Sequence, residues 1–148
     1  MRALAFLILM VCATAAQAQV EGKRFVLTAL DGIALPAEDG VTIAFQAPAA
    51  NGFGGCNGYA ARFSERLVLK KVRISRPGVR PVRTRTVRTW TIRIRDISAT
   101  RKFCGPQSRI ESLYFAALER ARRYDLAGGR LRLFAARGTA PVLTFALR

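Results

Sequence analysis

The chain has 148 residues, of which 25 are lysine or arginine, 9 are acidic and none is histidine, giving a net charge of +16. Without histidine there is no imidazole base for a nucleophile and no imidazole ligand for zinc. Apolar residues make up 51% of the chain, enough for one core, and the length fits one domain after an export leader.

Residues 1–18 read as that leader. Arg2 supplies the positive start, Leu4 to Val11 the apolar run, and Ala16-Gln17-Ala18 a small-x-small cleavage site that places the mature start at Gln19. The run is too short to cross a bilayer as a helix. Val11 precedes Cys12 where a lipid-attachment cysteine normally follows a small residue, so a lipoprotein is not expected. The expected mature protein is exported, periplasmic and soluble, and covers residues 19–148. Cleavage removes Arg2 alone among the charged residues and leaves Cys56 and Cys104 as the cysteines. They are 48 positions apart, not in a Cys-x-x-Cys motif, and suggest one structural disulfide in an oxidising compartment.

Arg24 to Leu30 reads as a strand closed by an Asp31-Gly32 turn, and Val41 to Phe45 alternates as a second strand. Ala47 to Gly55 is rich in small residues, proline and glycine, and reads as a loop leading into Cys56. Tyr59 to Phe63 gives a third strand. Leu67 to Ile74 looks extended, Arg76-Pro77-Gly78 breaks it, and Trp90, Ile92 and Ile94 then alternate with Thr91, Arg93 and Arg95 as a half-buried strand with a basic outer face. Two basic runs around a Pro-Gly break suggest a long arm or hairpin, although residues 77–89 are low in complexity and arginines facing each other across a hairpin would repel.

A helix is expected from Ser108. Ser108 and Glu111 match a capping box, while Ile110, Leu113, Tyr114, Ala117, Leu118 and Ala121 fall on one face. Glu119 and Arg123 are spaced to pair, and Arg120, Arg122 and Arg123 crowd the carboxyl end. Ala127-Gly128-Gly129 marks a hairpin between two short strands, and Val142 to Leu147 forms the last strand. The expected class is α+β: a small antiparallel sheet or open barrel with one late helix on it.

The order Gly55-Cys56-Asn57-Gly58-Tyr59, then Thr100 to Cys104, a helix with Glu111, and Leu-Ala-Gly-Gly-Arg-Leu-Arg-Leu resembles the META domain (HslJ-like) family from about Arg24 to Leu147. Ala61 departs from the glycine found there in many members, and residues within 67–90 look like a basic insertion. The resemblance implies an antiparallel β fold with a packed helix, a role in envelope maintenance or stress tolerance, and no established catalysis. It also brings a looser likeness to pilotins, which bind a partner peptide.

The residues themselves offer no stronger chemistry. Asn57 reads as a turn residue, Thr100 as a strand-end hydrogen bonder, and Glu111 as a cap. No P-loop, nucleophile elbow or dinucleotide fingerprint occurs, and neither a metal nor a cofactor is expected. The distinctive feature is charge. Lys70, Lys71, Arg73, Arg76, Arg80, Arg83, Arg85, Arg88, Arg93 and Arg95 occur with no acid among them. Such a cluster beside Trp90 is the usual footprint of nucleic acid. Export argues against that and favours anionic lipid, lipopolysaccharide or an acidic envelope protein, with a monomer expected. The plainer alternative is a solvated arm whose charge is incidental.

Overall fold

The computed structural model describes residues 19–36, 40–74 and 83–148. The leader expected at 1–18, and the expected break at Arg76-Pro77-Gly78 together with Arg80, lie outside them. The strands are β1 (Arg24–Leu30), β2 (Ile33–Ala34), β3 (Thr42–Gln46), β4 (Ala49–Phe53), β5 (Gly58–Ile74), β6 (Arg83–Ala99), β7 (Ala121–Ala127), β8 (Arg130–Ala135) and β9 (Leu143–Leu147), with helix α1 (Pro106–Arg120) between β6 and β7.

These strands do not form the expected open sheet. The first strand pairs with the last, from Phe25 opposite Leu147 to Leu30 opposite Leu143. That pairing closes a ring of eight antiparallel strands, with the two-residue β2 appended to β1. The fold is therefore a β-barrel carrying one helix, not an open α+β sheet. The physical reason is burial. Phe25, Leu27 and Leu30 on β1, and Leu143 and Phe145 on β9, all turn inward and are buried. Closure lets both terminal strands hide these side chains and satisfies their backbone edges together.

Inside the ring, Phe25, Ile43, Phe45, Phe63, Ile92, Ile94, Leu131, Leu133 and Phe145 fill the core. Edge-to-face contacts link Phe25 to Phe45 and Phe45 to Phe63. Ala47 to Gly55, expected as a loop, contains β4. Gly52 explains the discrepancy: a Cβ there would lie 2.0 Å from the Thr42 carbonyl oxygen on β3, so a residue that reads as a breaker is what lets the two strands meet.

The helix starts earlier than expected. Pro106 opens it behind Gly105, whose φ of 60° no bulky residue would favour, and no side chain caps it. Ser108 lies inside the first turn, where its hydroxyl accepts from the Cys104 N–H. The buried face is Glu111, Tyr114, Ala117 and Leu118, while Leu113 is half exposed. Arg123 belongs to β7 and bonds the carbonyls of Ala135 and Gly138, not Glu119.

The expected arm is a hairpin. β5 and β6 pair from Tyr59 opposite Ala99 to Ile74 opposite Arg83. β4 accompanies β5 only to Arg62, and β7 meets β6 only at Trp90 and Thr91. Beyond those points Val68–Ile74 and Arg83–Thr89 have no other strand beside them among the described residues, so a two-stranded ribbon projects about 20 Å from one end of the barrel. The helix caps the other end. Among the described residues no helix is long and apolar enough to cross a membrane.

Candidate functional site

Gly55, Cys56, Asn57, Tyr59, Thr100, Cys104 and Glu111 converge at the helix-capped end. Cys56 and Cys104 form a disulfide with a Cα separation of 5.7 Å. Asn57 is 4% exposed and its amide is fully used. Its Nδ2 donates to Glu111 Oε1 at 2.7 Å and to the Lys102 carbonyl at 3.1 Å. Its Oδ1 accepts from Thr100 Oγ1 at 2.8 Å and the Lys102 N–H at 2.7 Å. The side chain thus pairs with the Lys102 backbone as a neighbouring strand would.

Glu111 is the second half of this lock. Oε2 accepts the backbone N–H groups of Asn57 at 2.6 Å and Cys56 at 3.3 Å. The carboxylate closes a nest of backbone donors in the turn between β4 and β5, the role that the capping-box reading had assigned to its own helix. Gly54 makes room for it: a Cβ there would stand 2.7 Å from Oε2 and 3.0 Å from Phe115 Cζ. Gly55, at φ 105°, supplies the left-handed residue of the turn. The Asn57 amide is saturated, and the Glu111 carboxylate is shared among three donors. Among the described residues no group of three or more acidic or cysteine side chains is placed to hold a metal.

Tyr59 of the motif and Tyr114, read from the sequence only as part of the helix's apolar face, bond each other at 2.7 Å, and Tyr59 donates to the Thr42 carbonyl. Burial raises both hydroxyl pKa values above the ordinary 10.0. Tyr124 is raised too, by burial first and then by the bond it donates to Glu65. Below pH 10 these shifts add nothing, because folded and unfolded chains are both protonated. Above it the unfolded chain ionises first, so stability falls as pH rises. All three tyrosines of the chain are included. Tyrosinate absorbance on alkaline titration is therefore expected to appear together with loss of the native circular dichroism; tyrosinate in a still-native protein would contradict this.

The ribbon carries the other candidate residues. Lys70, Lys71, Arg73, Arg85 and Arg88 are exposed along it, and Arg93 and Arg95 point outward from the barrel wall below. The backbone of Arg83 lies in β6. Between Arg66 and Thr91 the register sets no basic residue opposite another: Leu69 faces Arg88, Lys70 faces Val87, Lys71 faces Thr86, Val72 faces Arg85 and Arg73 faces Thr84. This removes the repulsion expected of the hairpin. Both faces are mixed. Leu69, 60% exposed, shares one with Arg88, Lys71 and Arg73; Val72, Val87 and Ile74 share the other with Lys70 and Arg85. At its base Trp90 stacks at a tilt on Tyr124, with ring centroids 5.9 Å apart.

No family model and no curated protein matches the chain. Among solved structures, a protein known from an NMR structure superposes with a TM-score of 0.56 over 87% of this chain and 92% of its own, at 20% identity. That likeness concerns the fold.

Proposed function

We propose that the protein is an exported, non-catalytic META-like domain of the cell envelope, cleaved near Ala18, that docks on phosphate-bearing lipid surfaces through the β5–β6 ribbon. The observation that carries this reading is the ribbon: basic side chains alternate with exposed Leu69, Val72, Ile74 and Val87 on a projection with no acid in it. Cations draw such a surface to lipid phosphates, and the apolar side chains and Trp90 gain by entering the interface. The disulfide suits an oxidising compartment. The motif residues on which the META resemblance rests form one bonded cluster. A pilotin-like peptide groove between helix and sheet finds less support, since Tyr114, Ala117 and Leu118 are fully buried against the barrel.

Purified protein is expected to bind vesicles containing anionic lipid, and lipopolysaccharide, at least about tenfold more weakly at ~0.5 M than at ~0.05 M salt. Replacing Lys70, Lys71, Arg73, Arg85 and Arg88 by glutamine is expected to weaken binding at low salt by about a hundredfold or more, at roughly 1 kcal/mol per basic residue. Equal binding to zwitterionic vesicles, or binding indifferent to salt, would overturn the proposal.

A further inference from the structure

The bonded cluster at the helix-capped end also holds a side chain out into solvent. Thr100, Lys102 and Cys104 are each tied to the start of β5 or to the turn before it. The Thr100 N–H bonds the Gly58 carbonyl at 3.1 Å. Lys102 engages the Asn57 amide through both of its backbone groups. Cys104 is joined to Cys56 by the disulfide. Phe103 sits between the last two of these ties, and it is 88% exposed, more than any other large apolar side chain among the described residues. A bare phenyl ring is costly in water, and a slack loop would lower that cost by laying the ring on the barrel. Anchors on both sides of Phe103 leave this loop no slack.

The ring has cations around it. Arg101, Lys102 and Arg109 are exposed, and the chain carries no acid between Asp96 and Glu111. The Glu111 carboxylate is turned inward to Cys56 and Asn57. Among the described residues none of the three cations forms an ion pair. A fixed aromatic ring with unpaired cations beside it matches an anionic lipid surface, where phosphates take the charges and the ring enters the interface. Because the loop is already held, docking pays little to order it.

This end lies opposite the ribbon. β5 runs 17 residues, from Gly58 beside the loop to Ile74 on the ribbon. At about 3.3 Å per residue, reduced by strand tilt, the two ends stand roughly 40 Å apart. That is several times the Debye length of about 8 Å at physiological salt, so the charges at one end do not govern what the other end binds. We propose that Phe103, with Arg101 and Lys102, is a second lipid-docking site, and that the protein bridges two anionic lipid surfaces, one held by the ribbon and the other by this loop. The bridging rests on the reading of the ribbon as a docking element; the contact at Phe103 does not.

Two measurements test the proposal. In the first, Trp90→Phe removes the chain's one tryptophan and Phe103→Trp reports from the loop. With saturating vesicles of phosphatidylglycerol and phosphatidylcholine in equal parts, the emission is expected to move to the blue and to be quenched by lipids brominated on their acyl chains. The same is expected when the ribbon's lysines and arginines are glutamine. Emission that does not move, or quenching that vanishes with the ribbon's charge, would overturn the site. In the second, protein coating a supported bilayer of the same lipids is offered fluorescent vesicles. Phe103→Ser combined with Arg101→Gln and Lys102→Gln changes only exposed side chains, so this variant is expected to melt with the parent and to coat the bilayer through its ribbon. It is expected to capture at least about tenfold fewer vesicles, as befits the loss of one interfacial ring and two cations. Equal capture by the variant, or no capture by a parent that coats the bilayer, would overturn the bridge. A ribbon-glutamine variant that coats the bilayer as well as the parent would instead overturn the ribbon reading.

Discussion

Glu111→Ala is expected to destabilise the protein by about 3–5 kcal/mol, because it strands three buried donors at once, each worth about 1–3 kcal/mol when left unpaired. They are the N–H groups of Cys56 and Asn57 and the Nδ2 of Asn57. The 2.6 Å bond from Asn57 is charge-assisted and should contribute most. Glu111→Gln is the sharper test. It keeps the size of the side chain, yet in either orientation of the amide its NH2 confronts a donor, since one carboxylate oxygen serves both backbone groups and the other serves Nδ2. Most of the loss should therefore persist. Denaturant unfolding with the disulfide intact measures both variants, and a glutamine variant within about 0.5 kcal/mol of the parent, the usual range of an inconsequential substitution, would refute the lock.

Breaking the disulfide, by reduction or by Cys56→Ser with Cys104→Ser, is expected to cost about 4 kcal/mol, the loop-closure value for a separation of this size. The separation is 48 residues. The same two stretches of chain are also tied by Asn57, whose amide pairs with the Lys102 backbone. The two ties are not independent. Once one is gone, the other holds a segment that is already partly released, so Asn57→Ala combined with the double serine variant should cost less than the separate losses added together. Equilibrium unfolding of the four proteins measures the coupling, and strict additivity would show that the amide and the disulfide do separate jobs.

The sequence exposed local pattern and hid long-range closure. β1, the hairpin of β7 and β8, and β9 were readable because their apolar residues alternate between turn signals. The pairing of Phe25 with Leu147 was not, because alternation tells which face is inward but not which strand lies alongside. Gly52 looked like a breaker until a carbonyl was found where its side chain would be. The Ser-x-x-Glu spacing was real, but Pro106 fixes the start of the helix earlier and turns Glu111 toward the barrel. The motif residues were legible as a group; that Asn57 is a buried crosslink and not a turn former was not, since its partners on Lys102 and Glu111 lie far along the chain. The arm could be seen from its charge and its Pro-Gly break. Its register was not: the basic residues expected to face each other each meet an uncharged residue on the other strand of the free ribbon.

A closed ring of strands offers no bare backbone rim on which a second molecule could build. The exception is where β5 and β6 run on alone, for there each strand has an outer rim of amide and carbonyl groups that no other strand among the described residues pairs with. Valine, isoleucine, leucine and threonine along those rims are the composition from which fibrils grow. The lysines and arginines between them act as gatekeepers, holding copies apart by mutual repulsion. Neutralising that charge, whether by mutation or by a dense polyanion, removes the guard and leaves rims able to template stacking of one molecule on the next.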